Sequence, residues 1–178
     1  FFDARHRALF DVCFDANAVR KHCNKMRPKF SSGPDGYPPF LLKQIGPSIA
    51  GIIAQLFQSF MSIGRVPSDW KQAIIKPLFK KGASSDPASY RPISLTSIFS
   101  KLMEKIIVEQ MLKYLLTNNL ISKQQHGFLS RRSTATNLIE SLNDWTVKME
   151  NRQGQSVAYI DFAKAFDSVS HPKLLKKL

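Results

Sequence analysis

The residues able to do chemistry in this chain fall into two groups. In "SVAYIDFAKAFDSVSH", residues 156–171, an apolar run ends on Asp161, and a second acid, Asp167, follows Phe166. A carboxylate at the end of a buried strand is costly to desolvate unless something positive meets it. The partner is a lysine such as Lys164, the N-terminus of a following helix, or a metal ion; residue type and spacing leave all three open. Asp167 reads as a helix cap or a solvent-facing acid and is not counted as a ligand. The second group is Lys80 and Lys81, closing "IIKPLFKK", with Arg91 in "SYRPIS". A loop that brings a lysine and an arginine over one site can clamp a triphosphate, the arginine with paired donors. The same cations on a solvated basic face would touch phosphates without selectivity. A one-residue slip reverses the facing of a strand residue, so Lys80 and Lys81 are not separable here.

Two loops carry a weaker signal. "SSGPDGYPP" holds Gly33, Asp35 and Gly36, and "QHGFLSRRS" holds His126, Gly127, Phe128, Arg131 and Arg132. Glycines let backbone amides approach phosphate, arginines add charge, and His126 or Phe128 can stack on a base, so both loops are candidate nucleic-acid contacts. The competing reading is that Gly33, Gly36 and Gly127 serve turns.

The elements that must position these residues follow from periodicity. "DANAVRKHCNKM" offers Asp15 or Asn17 as the cap of a short helix, and "KFSSGPDGYPPF" demands a turn-rich loop. Ile49, Ile52, Ile53, Leu56, Phe57, Phe60 and Met61 recur at helical spacing, ended by Gly64 and Pro67. "WKQAIIKPLFKKG" predicts a strand, with a short extended piece around Ile93 and Leu95. A long helix is expected from a cap at Thr96 to about Asn118, and another from a cap at Ser133. "SVAYID" predicts a strand in a small antiparallel sheet, with Asp161 at its C-terminal end, and "HPKLLKKL" begins a last helix. Trp70 and Trp145 are expected as core anchors. The order predicts an α+β fold, helices packed on a small, incomplete sheet.

Lysine and arginine number 26 against 13 acids, a net charge of +13, and a surplus of that size points to a polyanionic partner. The most apolar window, Ile45–Ile63, is interrupted by Gly46, Pro47, Gly51, Gln55 and Gln58, which argues against a membrane span and a membrane partner. Cys13 and Cys23 form neither a disulfide framework nor a zinc site, so a reducing, intracellular compartment (nucleus or cytoplasm) is the expectation.

Five stretches, "SSGPDGYPPFLLK", "WKQAIIKPLFKKG", "SYRPISLTSIFSKLMEKII", "QHGFLSRRSTATNL" and "VAYIDFAKAFDSVSH", together resemble the reverse transcriptase domain of non-LTR (LINE-type) retrotransposons. The resemblance is strong over residues 31–178 and weak over 1–30. It implies the fingers and first part of the palm of a right-hand polymerase over 31–178, preceded by an N-terminal helical extension over 1–30. It implies RNA-directed DNA polymerisation, with an RNA template, a DNA primer and deoxynucleoside triphosphates as partners. It implies that Asp161 is the first of three carboxylate ligands to two Mg2+ ions, joined by the backbone carbonyl of Phe162. Lys80, Lys81 and Arg91 would form the fingers hairpin over the incoming nucleotide, and Phe166 would press against its C2′ and exclude a hydroxyl. Gly33, Asp35, Gly36, His126, Gly127, Phe128, Arg131 and Arg132 would meet the template. The family's other two carboxylates come from an Asp-Asp turn, and this chain contains no such pair. It therefore reads as a fragment truncated before that hairpin, inactive by itself, within a longer enzyme. The alternative is a catalytically inactive remnant that acts at most as a basic nucleic-acid-binding module.

Overall fold

The computed structural model describes residues 12–162, 165 and 167–176. The chain divides into two compact units, Phe1–Ile121 and Ser122–Leu178.

Among the described residues the first unit is built on four α-helices. Helix α1 (Ala16–Asn24) starts at Asp15, whose carboxylate accepts from the Asn17 N–H at 2.8 Å. Helix α2 (Pro39–Ile45) opens on a proline at its first position, where the missing N–H costs nothing. Helix α3 (Ala50–Ile63) ends on Gly64 in the left-handed conformation, as its sequence predicts. The long helix α4 (Ile98–Thr117) is capped by Ser97, not the expected Thr96. The Ser97 hydroxyl is the one that reaches the Phe99 N–H, and the residue is fully buried. Val19 and Cys23 of α1, Leu42 of α2, Phe57 of α3, and Leu102 and Ile106 of α4 form the dry centre. Each large side chain removed from water there contributes about 1.5–3 kcal/mol. Trp70 is partly buried, its ring edge-on to Phe57 at 5.9 Å and to Phe60 at 5.3 Å. No single helix among the described residues is long and apolar enough to cross a membrane.

Strands β1 (Ile74–Phe79) and β2 (Tyr90–Leu95) form an antiparallel hairpin, with Leu78 opposite Arg91 and Pro77 opposite Pro92. Nearly every residue of both strands is exposed, so the helices make their core without it. That corrects the expectation of helices packed on the sheet. The Lys80 N–H donates to the Ser89 carbonyl at 2.8 Å, which continues the ladder one pair past β1. Hydrogen-bonded pairs alternate with non-bonded ones. Lys80–Ser89, Leu78–Arg91 and Lys76–Ile93 are therefore the bonded pairs, while Phe79–Tyr90 and Pro77–Pro92 are non-bonded. Both prolines thus sit where the ladder needs no donor, and each faces its missing N–H outward along an edge of the ribbon.

In the second unit, helix α5 (Thr134–Glu150) begins with a reciprocal capping box between Ser133 and Thr136. Trp145 is only half-buried, and Leu138, Ile139, Leu142 and Met149 are exposed, so α5 does not bury the apolar face its sequence carries. A short helix, α6 (His171–Leu175), follows. The strand expected over Val157–Asp161 is not formed. These residues take no regular structure, and Tyr159 and Ile160 are more than three-quarters exposed. A strand exists through its ladder, and no described segment pairs with this one; an unpaired apolar run has no sheet in which to hide.

Candidate nucleic-acid interface

The hairpin settles the facing of its cations. Side chains alternate along a strand, so the register places Lys76, Leu78 and Lys80 on the face that also carries Arg91 and Ile93. Lys81 lies past the ladder in the bend toward Gly82. The opposite face holds Phe79 and Tyr90, with ring centroids 5.5 Å apart, as expected of a closely spaced non-bonded pair. The loop between the strands is tied internally. Asp86 caps the 3₁₀ turn Pro87–Ser89 by accepting from the Ala88 N–H, and the Tyr90 hydroxyl donates to the Ser84 carbonyl at 2.9 Å. Lys80, Lys81 and Arg91 are all exposed. Lys76 was not singled out from the sequence, because its membership of the Arg91 face depends on register.

In "GPDG" both glycines have backbone reasons to be glycine. Gly36 has φ +72° and closes a turn by donating to the Gly33 carbonyl at 3.1 Å, with Pro34 and Asp35 at the two central positions. A Cβ on Gly33 would lie 2.5 Å from the Thr96 carbonyl oxygen, so the loop is seated directly on the chain entering α4. Asp35 accepts from the Tyr37 N–H with Oδ1, and its Oδ2 is buried without a partner.

The loop before α5 is organised by His126. Its Nδ1 is 3.0 Å from the Thr136 hydroxyl and its Nε2 is 2.8 Å from Glu140 Oε2. Arg132 lies 3.6 Å from the same carboxylate oxygen. With the side chain buried and both nitrogens engaged, His126 holds the loop to the first turns of α5 and presents no ring face for stacking. Phe128 is 91% exposed, and Gly127, Arg131 and Arg132 are exposed with it. Phe128 and Arg131 adopt φ of 62° and 63°, left-handed conformations that bulky residues avoid unless their surroundings impose them. Thr136 and Glu140 are the residues sequence reasoning missed. Their spacing of four on α5 is the only local sign that they share a face.

Asp161 is exposed in irregular chain and belongs to the second unit, as does Phe162, 74% exposed. Among the described residues no three His, Cys, Asp or Glu side chains cluster to hold a metal ion. Phe166 and Lys164 lie outside the described residues.

Comparison with known proteins adds to this geometry. The profile of the family described as "Reverse transcriptase (RNA-dependent DNA polymerase)" matches residues 78–178. The RNA-directed DNA polymerase from mobile element jockey of Drosophila melanogaster is 36% identical over 126 residues, 70% of this chain and 14% of the relative. The probable RNA-directed DNA polymerase from transposon BS of the same organism is 28% identical over 151 residues, 84% of this chain and 17% of the relative. That from transposon X-element, also of Drosophila melanogaster, is 26% identical over 170 residues, 95% of this chain and 18% of the relative. The chain thus spans less than a fifth of the length of these relatives.

Proposed function

Because the chain belongs to the reverse transcriptase (RNA-dependent DNA polymerase) family, we propose that it is the fingers and first palm segment of an RNA-directed DNA polymerase of a LINE-type element. The fingers begin near residue 31, and the enzyme extends well past these residues, as the relatives do. The observation that carries this reading is the matched span itself. It covers residues 78–178 and so includes Lys80, Lys81, Arg91, the "QHGF" loop and Asp161.

Each group then has a task. The hairpin face bearing Lys80 and Arg91 grips the triphosphate of an incoming deoxynucleotide, Arg91 with paired donors and Lys80 as a point charge; Lys81 is placed to meet template phosphate. Arg131, Arg132, Phe128 and Gly127 line the template path, with His126 as the residue that positions them. The "GPDG" loop contacts the template through Gly33, Asp35 and Gly36. Phe166 excludes the ribonucleotide hydroxyl. Asp161 and the Phe162 carbonyl are hard oxygen donors of the kind Mg2+ takes, two of the about six that each ion needs. Bound there in the whole enzyme, the metal pair would activate the primer 3′-oxygen and stabilise the leaving pyrophosphate.

The test is primer extension by the whole polymerase carrying Asp161→Asn, which keeps size and removes charge. Turnover should fall by several orders of magnitude while template affinity stays near that of the parent. Extension at the parental rate would reduce Asp161 to a turn residue.

A further inference from the structure

The loop leading into α5 ends in "SRRSTATN", residues 130–137, where Ser130, Ser133, Thr134 and Thr136 carry hydroxyls. Two of these hydroxyls are spent on the fold. The Ser133 oxygen accepts from the Thr136 N–H at 3.2 Å. The Thr136 oxygen accepts from the Ser133 N–H at 2.9 Å and lies 3.0 Å from His126 Nδ1. Thr134 is exposed, and among the described residues its hydroxyl has no partner. Arg131 and Arg132 stand three and two positions before it, both exposed. Arg132 lies 3.6 Å from Glu140, whereas Arg131 is in no ion pair among the described residues.

An exposed alcohol is a weak nucleophile until a positioned base takes its proton, and protein kinases supply that base. They choose among hydroxyls by the charge pattern around them. An arginine-directed kinase receives guanidinium groups three and two residues before the acceptor in acidic pockets. Thr134 meets that spacing. Ser130 is exposed but has both arginines behind it, and Ser133 has them one position too close, with its oxygen already capping α5. Residues 126–133 take no regular structure, and Thr134 is the first residue of α5, so its N–H has no place in the helical ladder. Presenting the segment therefore opens only the first turn of α5 and its capping box.

We propose that Thr134 is a phosphorylation site, recognised through Arg131 and Arg132. Thr134 Oγ1 attacks the terminal phosphorus of a nucleoside triphosphate held by the kinase. The new O–P bond forms as the bond to the bridging oxygen breaks, the nucleoside diphosphate leaves, and the hydroxyl proton passes to the kinase's base. The product carries a charge of about −1.5 to −2 and three acceptor oxygens. Those oxygens match the donor forks of the two neighbouring guanidinium groups, so the modification cancels the charge they offer. That regulatory consequence rests on the polymerase reading, which puts Arg131 and Arg132 on the template path; the acceptor assignment does not.

Incubation of the unaltered chain with an arginine-directed protein kinase and radiolabelled ATP, followed by fragmentation mass spectrometry, locates the phosphate without any variant. It should lie on Thr134. Thr134→Ala and Arg131→Gln/Arg132→Gln should each lower incorporation by about ten-fold or more, while Thr134→Ser retains it and Ser130→Ala changes it less than about two-fold. Phosphate on another residue, or incorporation indifferent to the arginine pair, overturns the proposal. Fluorescence anisotropy of a labelled oligouridine then reads the consequence. The phosphorylated chain should bind on the order of ten-fold more weakly at about 100 mM salt, with the log–log salt slope flatter by about 1.4, two contacts at about 0.7 apiece. Arg131→Gln/Arg132→Gln should do the same. Loss of affinity in the arginine variant but not in the phosphorylated chain overturns the charge cancellation. If neither changes binding while Thr134 is labelled, the acceptor site stands and the template reading of this loop fails.

Discussion

Lys80 donates its backbone N–H to the Ser89 carbonyl at 2.8 Å, and that single bond decides which of two adjacent lysines faces with Arg91. Lys80→Ala in the whole polymerase should therefore raise the KM for deoxynucleotides, as Arg91→Ala should, each by roughly ten-fold or more for a lost charge-assisted contact. Lys81→Ala should leave nucleotide KM within about two-fold. Steady-state primer extension over a nucleotide series measures both. A larger effect at Lys81 than at Lys80 would mean that the loop, not the ladder, presents the charge.

The His126 contacts predict a stability effect in place of a stacking one. His126→Ala leaves the Thr136 and Glu140 groups without their ring partner and should cost about 1–3 kcal/mol. Phe128→Ala, at a site 91% exposed, should cost less than about 0.5 kcal/mol. Urea unfolding followed by circular dichroism separates the two. Equal midpoints would show that the histidine contributes nothing to holding the loop.

Much of the helical part was legible in the sequence because its signals are local. Asp15, Ser133 and Gly64 do at short range what their types predict. The start of α2 falls in "KFSSGPDGYPPF", whose glycines, prolines and aspartate predict a turn-rich loop, although proline is at home in the first turn of a helix. The Val157–Asp161 run has strand composition, but a strand needs a partner edge, and composition cannot supply one. Lys80 and Lys81 could not be told apart without register, and the partners of His126 lie ten and fourteen residues further along the chain.

Glu109 sets a pH dependence. Hydrogen bonds from Lys21 and His22 hold its carboxyl below its ordinary value of 4.5, so the folded state favours the ionised form more than the unfolded chain does. The stabilisation is complete above that ordinary value and is lost as pH falls through the lowered one. Because the carboxylate is half exposed, the effect is small. Thermal melts of the parent and Glu109→Gln should differ at neutral pH and converge in acid. A constant difference down through the acid range would assign the effect to packing.

The two cysteines should behave oppositely toward a thiol reagent. Cys13 is exposed, whereas Cys23 is fully buried and burial pushes its thiol up, away from the reactive thiolate. A native chain should titrate one thiol, and a chain in denaturant two. Rapid modification of both under native conditions would mean that α1 does not stay packed on α3 and α4.

The outward-facing prolines of the hairpin bear on what happens when many copies meet at high concentration. A bare two-stranded ribbon with exposed Ile75, Leu78 and Phe79 would ordinarily template its neighbour, each copy adding its edge to the next until a filament grows. Pro77 withholds the donor from one edge and Pro92 from the other, at the middle of each strand. Copies that meet can therefore crowd together without zipping, and the hairpin keeps its apolar side chains exposed without offering an unbroken edge.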